Sequence, residues 1–224
     1  MILYSITSIF LVGLALQGAP AEVRILPGCS MYIPNQEGLK KWKGNHLAVI
    51  YLGSTFEEST FKIRKSKILT KIIRSNDPQL PDSIQIISEG DGNLLFFVSG
   101  IPENVHARNV EDFHTRSSIK PGDPSYQAFG TWDGIPFLIS YPQASGYRDV
   151  ELKIGNHKVP FYKLPPNNGL RVRWAGDIDG DGQLDFYTIE TNDNGEEQHK
   201  LYLSSHAILG SLIGEAASYS VTGD

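Results

Sequence analysis

Past residue 21 the chain reads as short apolar runs broken by Gly, Pro, Asn and Asp. Runs of about four to eight residues, rich in β-branched and aromatic side chains and bounded by turn formers, predict strands. The expected strands are His46 to Leu52, Phe61 to Lys65, Ile68 to Ile73, Ile84 to Ser88, Leu94 to Val98, Ile135 to Tyr141, Val150 to Ile154, Val159 to Tyr162, Leu170 to Trp174, Asp185 to Glu190 and Lys200 to Ser204. Leu170-Arg171-Val172-Arg173-Trp174 alternates strictly. It predicts a half-buried antiparallel strand with Leu170, Val172 and Trp174 on one face and two arginines on the other. Between Phe61 and Arg74 the apolar positions suit a helix almost as well as strands, and the segment is read here as two strands. The polar, turn-rich span 115–131 is where a long loop or a boundary between two lobes is expected. The predicted fold class is all-β: a β-sandwich or a small pair of packed antiparallel sheets.

The N-terminus departs from this pattern. Residues 1–21 carry no charged side chain and hold an apolar run from Ile2 to Leu16, shorter than the roughly 20 residues of a membrane span. Ala19-Pro20-Ala21 has the small-x-small spacing of a signal peptidase site. The expectation is a signal peptide at 1–21, a mature β domain over 22–224 without a membrane span, and a secreted, periplasmic or cell-surface location. Cys29 is the one cysteine, which excludes an intrachain disulfide and a Cys-rich zinc site. It reads as a free structural thiol.

The 224 residues, 40% hydrophobic and 20% charged, suffice for one globular domain or two small ones. A net charge of −5 supplies no overall basic field for a phosphate backbone, so nucleic acid is not an expected partner. The charge is uneven, however. From Gly176 onward there are ten acidic side chains and one basic, whereas residues 1–175 carry fifteen and nineteen. Six of the twenty basic residues are Lys62, Arg64, Lys65, Lys67, Lys71 and Arg74. They read either as a docking patch for an acidic surface, polyanion or lipid headgroup, or as a solvated face that discourages edge pairing. The acidic C-terminal portion would repel itself unless solvated or neutralised by a cation.

Asp177-Ile178-Asp179-Gly180-Asp181-Gly182-Gln183-Leu184-Asp185 points to the cation. Aspartates at loop positions 1, 3, 5 and 9 with glycine at 6 match the ligand spacing of a calcium loop. Alternate residues of a tight loop turn their carboxylates inward, Gly182 permits a positive φ, and Gln183 offers its backbone carbonyl. Without an ion the four aspartates would repel one another at close range. Zinc would want His or Cys, and magnesium keeps its waters, so calcium is the expected ion. Thr188 stands where an EF-hand has its bidentate Glu, and Asp185 to Glu190 is strand-like. The expected site is a strand-loop-strand calcium clip.

The run Trp174-Ala175-Gly176 through the aspartate loop to Phe186 resembles the calcium loop of FG-GAP or VCBS-type repeats, found in integrin-like propellers and many secreted bacterial proteins. The likeness is close over about fifteen residues and looser over the segment 170–205. It implies calcium binding by Asp177, Asp179, Asp181, Gln183 and Asp185, and it does not imply an enzyme. Those families repeat the loop many times, whereas this chain carries one clear copy. Glu89 to Val98 aligns without gaps with Asp179 to Thr188 but lacks two of the carboxylates. It reads as a decayed repeat or as a Gly-rich hairpin.

No G-x-S-x-G, H-E-x-x-H or P-loop occurs, and the six histidines show no ligand spacing. The expected function is that of an exported calcium-binding β protein, acting as a non-catalytic binding or structural module with a protein or glycan ligand. The alternative is a secreted hydrolase or carbohydrate-binding protein with a calcium-stabilised fold. Glu103, Glu111, Asp112, Asp133 and Asp149 are its candidate carboxylates, and Trp132 or Tyr147 its sugar-facing aromatics.

Overall fold

The structure, a computed structural model, describes residues 22–28, 30–31, 42, 44–52, 60–75, 83–102, 105–110, 112–117, 124–142 and 145–221. The expected signal segment, Cys29, Glu103 and Glu111 lie outside the described residues. Strands β1 (Arg24–Pro27), β2 (Ser30–Met31), β3 (Asn45–Leu52), β4 (Thr60–Ile73), β5 (Ser83–Ser88) and β6 (Asn93–Ser99) form a sheet in the order β1-β6-β3-β4-β5-β2. After β7 (Arg108–Asn109) come β8 (His114–Ser117), β9 (Pro124–Trp132), β10 (Ile135–Pro142), β11 (Arg148–Ile154) and β12 (His157–Leu164). These five make a meander in the order β12-β11-β10-β9-β8. The third sheet, β16-β15-β14-β13-β7, combines β7 with β13 (Gly169–Asp177), β14 (Asp185–Thr191), β15 (Glu197–Leu203) and β16 (Gly214–Val221). The protein is all-β, and its sheets are antiparallel and packed face to face, as in a β-sandwich.

Three packed sheets exceed the small pair expected from the sequence. The β13–β16 sheet is the middle layer. One of its faces sends Leu170, Val172, Ala175, Phe186 and Tyr202 against Phe137, Ile139, Val150 and Leu152 of the meander. The other sends Trp174, Tyr187, Leu201 and Leu203 against Ile25, Val49, Phe96 and Val98 of the six-stranded sheet. A third cluster around Ile50, Ile86 and Phe97 fills the curl of that sheet. A strand buried on both faces needs apolar residues at every position, so its sequence reads as a continuous run. Leu94 to Val98 is such a run, fully apolar and buried throughout.

Two sequence expectations change. The alternation from Leu170 to Trp174 does not place those residues on one face, because the register with β14 shifts between Val172 and Trp174. Arg173 is the extra residue of a β-bulge, which turns Trp174 to the opposite core from Leu170 and Val172. The two strands expected between Phe61 and Ile73 are one. Residues 60–67 of β4 pair with β3, and 68–73 pair with β5 across the opposite edge. The span 115–131 contains the end of β8 and most of β9, an inner strand of the meander. Asp133 and Gly134, both at positive φ, form the β9–β10 turn beside Trp132, as a hairpin requires. The Gly-rich loop at 89–92 does not close a hairpin, since β5 and β6 are not neighbours in the sheet.

The middle sheet also buries His199, whose Nδ1 sits 2.7 Å from the Tyr187 hydroxyl. Burial, reinforced by Arg173, lowers its pKa to about 4, outweighing the Glu197 carboxylate at 3.7 Å. A folded-state pKa below the unfolded 6.5 means that the unfolded chain binds more protons between those values. This contribution is therefore complete above pH 6.5 and is lost as pH falls towards 4. At 1.36 kcal/mol per pKa unit it amounts to about 3 kcal/mol. Denaturant titrations at pH 7 and pH 4 should show His199→Gln losing less stability on acidification than the native chain, by that order of magnitude. Equal losses would place the acid-labile group elsewhere.

Candidate metal centre

The aspartate loop links two neighbouring strands of the middle sheet, β13 ending at Asp177 and β14 starting at Asp185. Gly176 lies opposite Asp185 across the pair, which brings the first and ninth loop positions together. Gly176 also abuts β7 and the Trp174 ring so closely that a Cβ there would lie 2.3 Å from the Arg108 carbonyl oxygen. The turn passes through positive φ at Gly180 (76°) and Gly182 (84°), which a residue with a Cβ adopts only under strain.

Asp177, Asp179 and Asp185 each bring one carboxylate oxygen within 4.8 Å of the other two. Asp177 and Asp185 are buried and Asp179 is half-buried. The Asp177 carboxylate accepts the backbone N–H groups of Gly180 (2.6 Å) and Gly182 (2.9 Å). Asp185 accepts those of Ile178 (2.8 Å) and Ser204 (2.9 Å). These donors are neutral. Burial therefore raises both carboxyls, Asp185 to about 8, and the charges of Asp179 and Asp181 push the same way against the backbone donors. A divalent cation among the three oxygens would remove this electrostatic cost.

Among the sequence-predicted ligands, Asp181 and Gln183 stand outside this converging trio. One Asp181 oxygen accepts the Gln183 backbone N–H (2.8 Å) and the other the Ser204 hydroxyl (2.6 Å). Ser204 also approaches Asp185 through its hydroxyl (3.3 Å), and the Ser205 hydroxyl donates to Asp179. Sequence reasoning missed both serines as site residues, since nothing in a Ser-Ser pair following a strand marks it as reaching this loop. From the meander, Trp132 Nε1 donates to the Gly182 carbonyl at 3.3 Å. Polar groups that orient metal-binding carboxylates are typically worth about 10- to 100-fold in affinity. Ser204→Ala should weaken calcium binding by roughly tenfold in a titration while leaving the stoichiometry unchanged; undiminished affinity would show that Asp181 and Asp185 hold their positions without it.

Beside the loop lies a cleft of about 700 Å³, whose lining includes Phe61, Arg108, Asp112, Phe113, Trp132 and Asp133. Asp112 and Asp133, both hydrolase candidates, share this cleft. Asp133 is held by both terminal nitrogens of Arg108 (3.0 and 3.3 Å), and the same guanidinium lies 4.4 Å from the Trp132 ring centre. Asp149 is on β11, exposed and away from the cleft lining. Tyr147 is exposed, with Lys163 over its ring. The faint copy at 89–92 has positive φ at Gly90 and Gly92, matching the two loop glycines at 180 and 182. Leu95 stands at its ninth position and is buried in the core. Among the described residues, no second group of His, Cys, Asp or Glu converges as a metal site would require, and no helix is long and apolar enough to cross a membrane.

The chain matches no family model, no curated protein and no solved structure.

Proposed function

We propose that this is an exported calcium-binding β protein, a non-catalytic binding or structural module whose loop at 177–185 is of the FG-GAP or VCBS type. The observation that carries the reading is the convergence of Asp177, Asp179 and Asp185 between two paired strands. The donor set supports calcium: oxygen ligands only, two of them on buried carboxylates whose hydrogen-bond donors are neutral backbone N–H groups. The ion would tie β13 to β14 and, through Ser204 and Ser205, to the end of β15. The export reading rests on residues 1–21 of the sequence.

Calorimetric titration of chelator-treated protein with calcium tests this reading. One ion per chain is expected, at micromolar or weaker affinity because the bidentate Glu of an EF-hand is missing. Asp179→Ala should abolish the heat. Two ions per chain, or binding that survives Asp179→Ala, would overturn the single-clip assignment.

The cleft beside the loop supports a second reading, a calcium-stabilised carbohydrate-binding protein. Aromatic walls with a few fixed polar groups suit a glycan. The cleft joins the metal loop through β7, which pairs with Gly176 and Asp177, and through the Trp132–Gly182 hydrogen bond. Asp133 is engaged by both terminal nitrogens of Arg108 rather than facing a second free carboxylate, so the hydrolase variant draws less support.

A further inference from the structure

The basic segment of β4 has no part in the metal loop or the cleft floor, and the fold gives it an unusual setting. Up to Lys67 the strand lies against β3; beyond it, residues 68–73 are paired with β5 alone among the described residues. Lys65, Lys67, Leu69, Lys71 and Ile73 alternate onto one face of this ribbon, and all five are exposed. Leu69 is 42% and Ile73 37% accessible, and on the reverse face Ile72 is 64% accessible next to exposed Arg74. Facing Leu69, Lys71 and Ile73 across the pair are Ile87, Gln85 and Ser83, which add no negative charge. The sequence has no acidic residue between Glu58 and Asp77. Arg64 is set apart from this surface, since it donates to Ser88 Oγ and the Glu89 carbonyl.

We propose that this ribbon, the far half of β4 with β5 beside it, docks the protein on an anionic lipid surface. Lysines alone would guard a strand edge or hold a soluble polyanion. Neither use accounts for the two aliphatic side chains, Leu69 and Ile73, exposed among them, which a polyanion would leave in water. A lipid surface satisfies both sets of groups: headgroup charge pairs with the lysines, while Leu69 and Ile73 on the same face reach the acyl boundary. The attraction is local, because the C-terminal portion from Gly176 has nine more acidic than basic side chains, and opposing surface charges beyond about 8 Å are screened at physiological salt. The docking is independent of calcium.

Co-sedimentation of the chain with vesicles, in chelator and about 0.1 M salt, tests the proposal. Vesicles of phosphatidylcholine with phosphatidylglycerol should bind the protein, and phosphatidylcholine alone should not. The double variant Lys67→Glu/Lys71→Glu should lower the partition coefficient at least about tenfold. Leu69→Ser/Ile73→Ser should lower it by a similar order, with unchanged melting for both variants. No binding to the anionic vesicles, equal binding to neutral ones, or indifference to the charge reversal would overturn the proposal. So would binding untouched by Leu69→Ser/Ile73→Ser and displaced by inorganic polyphosphate, which would identify a polyanion site instead.

Discussion

Chelating calcium is expected to lower the melting temperature of the protein by roughly 8 to 16 °C. An ion that binds only the folded state stabilises it by RT ln(1 + [L]/Kd), about 4.1 kcal/mol at a thousandfold excess over Kd. In chains of this size each kcal/mol moves the midpoint by about 2 to 4 °C. The variants sharpen the test. Asp179 is half-buried and its carboxylate joins the trio from the exposed side of the turn, so Asp179→Ala should melt like the chelated native chain, with or without calcium. Asp185→Asn behaves differently, because each Asp185 oxygen accepts a backbone N–H, from Ile178 and from Ser204, and an amide nitrogen in place of either oxygen would face a donor. In chelator it should melt below the native chain, because one buried backbone N–H loses its acceptor, and added calcium should no longer raise it. Native protein with the same midpoint in calcium and in chelator would reduce the loop to a polar turn.

The clustering of Asp177, Asp179 and Asp185 was readable from the sequence because these carboxylates lie within nine consecutive residues, and a strand-loop-strand places positions one and nine side by side. Its supports were not readable. Ser204 lies 23 residues beyond Asp181, and the Trp132 indole reaches Gly182 from 50 residues away, so the layering of the sheets brings them in. The layering was partly legible: the unbroken apolar run at Leu94 to Val98 has the signature of a strand covered on both faces. The bulge at Arg173 was not, since strict alternation in the sequence reads as strict alternation in the strand. Strands β1, β2, β7, β8, β9 and β16 escaped prediction for another reason. β7 is only two residues long, and β16, Gly214–Val221, is made largely of small and polar residues held by pairing with β15. In each case a neighbouring strand supplies what the local sequence lacks.

The same layering creates the polar feature on which stability should depend most strongly. Glu190 of β14 and Lys200 of β15 are 5% and 6% exposed, and their charged atoms are 3.3 Å apart. Tyr162 of the meander donates its hydroxyl to the same Glu190 oxygen at 2.7 Å, and Asn168 donates to the other oxygen at 2.6 Å. Lys200 also lies over the Tyr162 ring at 4.6 Å, so one cluster joins the middle sheet to the meander. Two buried opposite charges cost desolvation that their attraction roughly repays, but removing one partner leaves the other buried without its nearest counter-charge, Lys200 keeping only the exposed Glu215 at 3.8 Å. Glu190→Ala should therefore cost about 3 to 5 kcal/mol in urea titrations, as should Lys200→Ala. Replacing both by apolar residues of similar size, Glu190→Leu with Lys200→Met, should cost far less than the sum of the two single losses, because no uncompensated charge remains. Tyr162→Phe, which removes one donor and keeps the ring, should cost about 1 to 2 kcal/mol. Additive losses in the double variant would mean that the two side chains act independently.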